Sequence, residues 1–183
     1  MKKIAIATLV LAAFGAMAAD SFTFEGQHIN NAGAAAQQQY VLGVKKDFTS
    51  TFAGDIAFQN AQTEGTNSLS TRLEAGVTGT MPVGPVSIYT RAAIGDKYSS
   101  TGDFNYFSIE PGVSAPVGFG LTAKVGWRYR SAFDSSANND QTHTARYSLA
   151  YALSKEDSVA VKYDRVNGDN NQKVVGVAYT RGF

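Results

Sequence analysis

The sequence predicts an all-β chain folded as a transmembrane antiparallel up-and-down β-barrel of ten strands, with eight as the alternative count. Three observations carry this expectation. Apolar and polar side chains alternate with a period of two, segment after segment. The connections between segments alternate between short and long. The N-terminus has the layout of a cleaved export signal, and no other stretch is apolar enough to span a membrane as a helix.

The export signal comes first. Lys2 and Lys3 form a charged start, Ile4 to Phe14 a short apolar run, and Ala16-Met17-Ala18 a small-x-small cleavage site. The run is shorter than the roughly 20 residues of a spanning helix. The chain therefore divides into a signal peptide at 1–18 and a barrel domain at 19–183. Within 183 residues, 16 Lys and Arg balance 15 Asp and Glu, so nothing suggests a nucleic-acid partner. The absence of cysteine excludes disulfides and thiolate chemistry. Abundant Tyr and Phe in short alternating runs favour strands over helices.

Ten segments follow, near 21–29, 39–46, 51–60, 69–80, 86–96, 104–115, 119–131, 142–153, 157–166 and 173–183. Most have the length of a tilted membrane strand, about 9–11 residues. In the first, Phe22 and Phe24 alternate with Thr23, Glu25 and Gln27. Tyr40, Leu42 and Val44 then oppose Val41, Gly43 and Lys45, and Phe52, Ile56 and Phe58 oppose Asp55, Ala57 and Gln59. Leu69, Leu73, Ala75 and Val77 oppose Arg72, Glu74, Gly76 and Thr78. Val86, Ile88, Ala92 and Ile94 oppose Ser87, Tyr89 and Arg91, while Phe107, Ile109 and Val113 oppose Ser108, Glu110 and Gly112. The clearest strand places Leu121, Ala123, Val125, Trp127 and Tyr129 against Thr122, Lys124, Gly126, Arg128 and Arg130. Tyr147 and Leu149 oppose Arg146 and Ser148, Val161 and Tyr163 oppose Lys162 and Asp164, and Val175, Val177 and Tyr179 oppose Gly176 and Ala178. Short turns are expected at Lys46 to Ser50, Met81 to Pro85, Pro116 to Gly118 and Ser154 to Glu156. Longer polar loops fall around Asn31 to Gln38, Ala61 to Ser68, Asp96 to Asp103, Ser131 to Gln141 and Asn167 to Gln172. Short turns on one side and longer loops on the other are the habit of membrane barrels, and an even strand count puts both termini on the short-turn side.

The polar faces select lipid over water as the surroundings of the apolar face. They carry Glu25, Lys45, Asp55, Arg72, Glu74, Arg91, Glu110, Lys124, Arg128, Arg130, Arg146, Lys162 and Asp164, interleaved with Gly, Ala and Ser. Small residues among charges suit a narrow, crowded lumen. The last strand ends Val175, Val177, Tyr179, Arg181, Phe183 at spacings of two. This resembles the aromatic-ended final strand of the bacterial outer-membrane β-barrels, a porin-like superfamily of the Gram-negative envelope. The resemblance implies an outer-membrane location, contact with lipid and lipopolysaccharide, and recognition of the terminal Phe183 by the barrel-assembly machinery. Arg181 departs from the usual apolar residue and is expected to reach the interface, where a charge costs only about 0–1 kcal/mol. A monomer is expected.

Enzymatic chemistry finds little support. Outer-membrane phospholipases and lipid A deacylases carry a His-x-Ser pair on a strand, which sets base and nucleophile on one face. Here His143 is followed by Ala145 and His28 by Asn30, and His143 reads as a solvated residue at a loop edge. The Asn138-Asn139-Asp140 and Asp169-Asn170-Asn171 runs lack calcium-loop spacing and read as turns, so no metal or cofactor is expected.

The inward-facing set carries eight basic residues against five acidic. The five long loops carry Glu64, Asp96, Asp103, Asp134, Asp140 and Asp169 against Lys97. Arg72, Glu74, Arg91 and Glu110 are near enough around the wall to meet, which leaves some basic groups for water or a mobile anion. The expectation is a narrow passive channel for small, anionic solutes. A basic interior resembles that of small porins that take up acidic oligosaccharides, though those have more strands. The alternative is a closed structural barrel whose loops contact lipopolysaccharide or another envelope protein. On the channel reading, exchanging Arg128 and Arg146 for Glu would reverse the preference and leave the fold intact.

Overall fold

The computed structural model describes residues 20–99, 102–134, 140–169 and 171–183. The expected export signal at 1–18 lies outside them. The strands are β1 (Ser21–Asn31), β2 (Gln37–Asp47), β3 (Phe52–Thr63), β4 (Leu69–Val83), β5 (Val86–Ser99), β6 (Phe104–Gly118), β7 (Leu121–Ala132), β8 (Gln141–Ala152), β9 (Asp157–Gly168) and β10 (Gln172–Gly182). Each pairs antiparallel with its sequence neighbours, and β1 pairs with β10 from Ser21↔Gly182 to Asn31↔Gln172. The sheet therefore closes as an up-and-down barrel of ten strands, not eight, and has no free edge.

Most strands run further toward the loops than their hydrophobic patterns suggest. β3 continues to Thr63 and β5 to Ser99, because backbone pairing persists where the side chains have become polar. The connections between the strands at that end are correspondingly short. At the other end two turns are tighter than expected. Met81 to Val83 belong to β4, and the reversal is made by Gly84 and Pro85 alone. Gly84 has φ +59°, and proline supplies the negative φ of the second position, as a type II′ hairpin requires. Pro116 to Gly118 likewise belong to β6, with an irregular register at their end, and the turn is Phe119-Gly120. Both turn residues have positive φ, 54° and 74°, the type I′ geometry that matches strand twist.

Period-two alternation decides which way every side chain points. Val125, Trp127, Tyr147, Leu149, Val161 and Val177 are exposed on the outside, and large apolar side chains are exposed on the outer face of all ten strands. An apolar surface that wraps the molecule is unstable in water and is matched by hydrocarbon. Near the loop end the belt gathers aromatic rings: Trp127 stacks on Tyr129, and Phe107 meets Tyr129 and Phe133. The expected anatomy of a barrel in a bilayer, an aromatic girdle at the interface, is thus present.

The inward faces fill the lumen. Tyr106 is fully buried, and Glu25, Glu74, Ser108, Glu110 and Arg130 are buried polar groups. Glycines on the inward face make the space. A Cβ on Gly95 would sit 2.6 Å from Cζ of Tyr106, and one on Gly76 would sit 2.6 Å from Arg91. Gly112 and Gly126 yield to Tyr89 in the same way. The Cα register between β6 and β7 runs to Ile109↔Tyr129 and resumes at Gly112↔Gly126. Pro111, which has no N–H to donate, lies in that gap.

Candidate functional site

The lumen contains an ion-pair lattice at mid-height and a basic vestibule above it, toward the loops. Glu74 on β4 is the centre of one half of the lattice. Arg91 on β5 donates Nη1–H to its Oε1 at 2.6 Å, Arg128 on β7 donates Nη2–H to its Oε2, and the Tyr106 hydroxyl donates to Oε2 at 2.9 Å. Arg91 also reaches over Gly76 to Asp55 on β3, donating Nε–H at 2.9 Å and Nη2–H at 2.5 Å. The planar guanidinium suits this fork, and a Cβ at Gly76 would block it. The Glu74 side chain is 3% exposed, so its charge is sustained by these three donors rather than by water.

Glu110 on β6 is the centre of the other half. It accepts from the Tyr89 hydroxyl at 3.1 Å and from Arg146 Nη1 at 2.6 Å, while Arg146 Nε donates to Asp164 on β9 at 3.1 Å. Further round, Lys162 Nζ donates to Glu25 at 2.6 Å, and Glu25 also accepts from Gln27. Lys124 makes no salt bridge among the described residues and stands 3.9 Å over the Tyr89 ring, a cation–π contact. The two halves differ in tightness. Arg91 and Arg128 are 16% and 13% exposed, whereas Arg146 and Lys162 are 29% and 28% exposed. The looser half of the lattice thus runs along β8 and β9.

Above the lattice a cavity of about 280 Å³ opens toward the loops. Its charged lining is Arg72, Lys97, Arg128, Arg130 and Arg146 against Asp164, with Gln, Ser and Thr between them. Below the lattice a smaller cavity of about 100 Å³ lies between Tyr89, Lys124 and Lys162. Arg146 and Asp164 line both cavities and form the partition between them. Arg130 is held by Asp140, Nη2 to Oδ1 at 2.6 Å, and Lys97 lies 3.9 Å from the same carboxylate. Arg72 makes no hydrogen bond or ion pair among the described residues. The Nε atoms of Arg128 and Arg130 are buried without a hydrogen-bond acceptor. The vestibule therefore holds more donor capacity than its own acids satisfy.

Of the expected lumen residues, the structure brings together Asp55, Glu74, Arg91, Glu110, Lys124, Arg128, Arg146, Lys162, Asp164 and Glu25 in the lattice and Arg72 and Arg130 above it. Lys45 stands apart. It lies half exposed at the turn-side rim and pairs with Asp47 at 2.6 Å. Two charges expected in the loops belong to the lumen instead. Lys97 lies in β5 and lines the vestibule, and Asp140 is buried beside Arg130. Parity could have found both: Lys97 continues the inward series Arg91, Ala93, Gly95, and Asp140 precedes the inward pair Thr142 and Thr144 by two and four.

The pairing also revises one expectation. Glu at position 128 would face Glu74, and Glu at 146 would face Glu110 and Asp164, so charge reversal at these two sites sets acids against buried acids. Neither histidine enters the lumen. His143 is not a solvated loop residue but packs among the outer aromatics, 5.4 Å from Trp127 and 5.3 Å from Tyr129, because β8 begins at Gln141. His28 lies on the outer face of β1 beside Gln38. Asp169 accepts from the Gln141 backbone N–H, while Asn138, Asn139 and Asn170 lie outside the described residues. Phe183 is exposed just beyond β10, its N–H donated to Asp20 at 3.0 Å across the closing seam.

No protein-family model matches the sequence, and a search of curated proteins finds no match. Solved structures do match. The NanC porin has a TM-score of 0.59 at 10% identity, covering 87% of this chain and 100% of that one. An outer-membrane channel of Pseudomonas putida F1 has a TM-score of 0.60 at 9% identity, covering 89% of this chain and 94% of that one. The KdgM porin aligns over 89% of this chain and 99% of its own at 11% identity and a TM-score of 0.49. At these identities the likeness is one of fold. The chain has the antiparallel barrel fold of the outer-membrane porins, here closed on ten strands, and its apolar exterior is that of an outer-membrane protein.

Proposed function

We propose that the barrel is a narrow passive channel that favours small anions. The observation that carries this reading is the lining of the vestibule, five basic side chains and one acid, in which Arg72 makes no ion pair among the described residues while Lys97, Arg128, Arg130 and Arg146 pair with Asp140, Glu74, Glu110 and Asp164. Basic side chains around a pore attract anions and repel cations, and a low-dielectric wall strengthens the effect. From the vestibule the route passes Arg146 and Lys162, the more exposed cations of the ion pairs, into the lower cavity. The NanC porin and the Pseudomonas channel, similar in fold, support a channel over an enzyme.

The experiment is conductance of the refolded barrel in a planar bilayer, with refolding checked by heat-modifiable gel mobility. The channel reading expects discrete conductance steps and a reversal potential displaced toward that of chloride in a potassium chloride gradient. One observation favours a second reading, a closed structural barrel. The lattice crosses the lumen from Asp55 to Asp164 and separates the two cavities. A fully refolded barrel without conductance above the bare bilayer would replace the first reading by the second.

A further inference from the structure

Charges on the outer face of the barrel are few, and their pairing differs between its two ends. At the turn end Lys46 contacts Asp20 at 3.0 Å, and Arg181 lies 3.7 Å from both Glu156 and Asp157. At the loop end Arg165 on β9 and Lys173 on β10 are direct cross-strand partners, and both are exposed. They share the outward face with the adjacent pair Tyr163 and Val175, one step nearer the middle of the membrane. Neither cation makes a salt bridge among the described residues. Like charges directly opposite one another on neighbouring strands repel, and no acid among the described residues pairs with either to offset that repulsion.

A groove of about 350 Å³ lies at the same place on the outer wall, where Arg165 and Lys173 are joined by Asn30, Asn31, Asn167 and Asn171. Two cations, amides around them and an apolar wall beneath match an amphiphile with an anionic, hydroxylated head. The long-loop end of such a barrel faces the outer leaflet. We propose that Arg165 and Lys173 hold a phosphate of a phosphorylated glycolipid in that leaflet, its acyl chains lying along Tyr163 and Val175. The guanidinium supplies a two-pronged contact to the phosphate and the ammonium a point charge, so one dianion relieves the repulsion of both. The site lies on the outer wall and does not depend on whether the lumen conducts.

The test is native mass spectrometry of the whole refolded barrel, released from micelles carrying bisphosphorylated lipid A. The variant is Arg165→Gln with Lys173→Gln, which removes no acid's partner. Wild type should retain the lipid, and the double variant should bind it about thirty-fold more weakly, the attraction of two interfacial cations to anionic lipid. Dephosphorylated lipid A should bind both forms weakly, and millimolar inorganic pyrophosphate should not displace the lipid from wild type. Should the double variant fail to refold, Lys173→Gln alone should show about a five-fold loss. Equal retention by wild type and variant, equal binding of the dephosphorylated lipid, or complete displacement by pyrophosphate would each overturn the proposal. The last of these would mark a site for free anions. Conductance and selectivity of the double variant should match wild type.

Discussion

Replacing Glu74 by Gln tests the ion-pair lattice directly, since it keeps the side-chain volume and removes the charge. Glu74 accepts from Arg91, Arg128 and Tyr106, and its side chain is nearly sealed from water. Arg91 keeps Asp55 after the exchange, but Arg128 loses its one salt bridge among the described residues. Three charge-assisted hydrogen bonds, each contributing about 1.5–3 kcal/mol, are weakened. An uncompensated buried charge left behind costs about 3–5 kcal/mol. The expected loss is therefore about 3–5 kcal/mol of stability, measured by urea unfolding of the barrel in vesicles. The single tryptophan, Trp127, sits next to Arg128 in sequence and reports the transition by its emission. Adding Arg128→Gln should recover part of the loss, with a coupling of about 1–3 kcal/mol. By contrast, Arg72→Gln should not destabilise, since it removes a lumen cation that has no acid partner among the described residues. A loss below about 1 kcal/mol for Glu74→Gln, together with strict additivity, would refute the reasoning.

Other expectations concern the two faces and the seam. Val125→Arg places a charge on the lipid face and should destabilise by about 2–4 kcal/mol near the midplane, whereas an equal cost for Val125→Leu would contradict the assignment. Gly126→Ala acts on the opposite face by pushing a methyl into Tyr89 and Glu110, and should cost about 1–3 kcal/mol through overpacking. A neutral result there would mean that the lumen is less filled than the structure describes. At the turn end, before β1, Asp20 accepts the Asp47 backbone N–H at 2.6 Å and the Lys46 ammonium at 3.0 Å, and these contacts lower its pKa below the ordinary 3.8. A lowered folded-state pKa gives stability that is present above pH 3.8 and lost as pH falls through the folded value. Asp20→Asn should therefore differ from wild type at neutral pH and converge with it in acid. A difference that persists unchanged at low pH would sink this clamp.

Much of the barrel is legible in the sequence because its rule is local. Period-two alternation identifies ten strands and separates Val125 and Trp127 from Lys124 and Arg128 without any knowledge of partners. Strand ends are less legible where polarity and pairing part company, as at Thr63, Ser99 and Gly118, since backbone hydrogen bonds continue past the apolar pattern. The lattice lies further from reach. That Arg91 bridges Asp55 and Glu74, or that Arg146 joins Glu110 to Asp164, depends on register and on how far each side chain stretches across a closed sheet. Asp140 is a loop residue by polarity but a lumen residue by geometry, because the strand behind it turns it inward onto Arg130. The surplus of cations was visible as a count, whereas its concentration above the lattice appears only once the strands are placed side by side.

Anion selectivity of the lumen is measured by the reversal potential of single channels in a potassium chloride gradient, for wild type and for Arg72→Glu. Arg72 lines the vestibule and pairs with no acid among the described residues, so the exchange alters the charge of the path without breaking a described pair. A basic vestibule on the solute path gives anion preference in wild type and a clear displacement toward cation preference in the variant, with both proteins equally folded. Identical reversal potentials in two equally folded, conducting proteins would contradict it, and would remove the basic vestibule from the solute path.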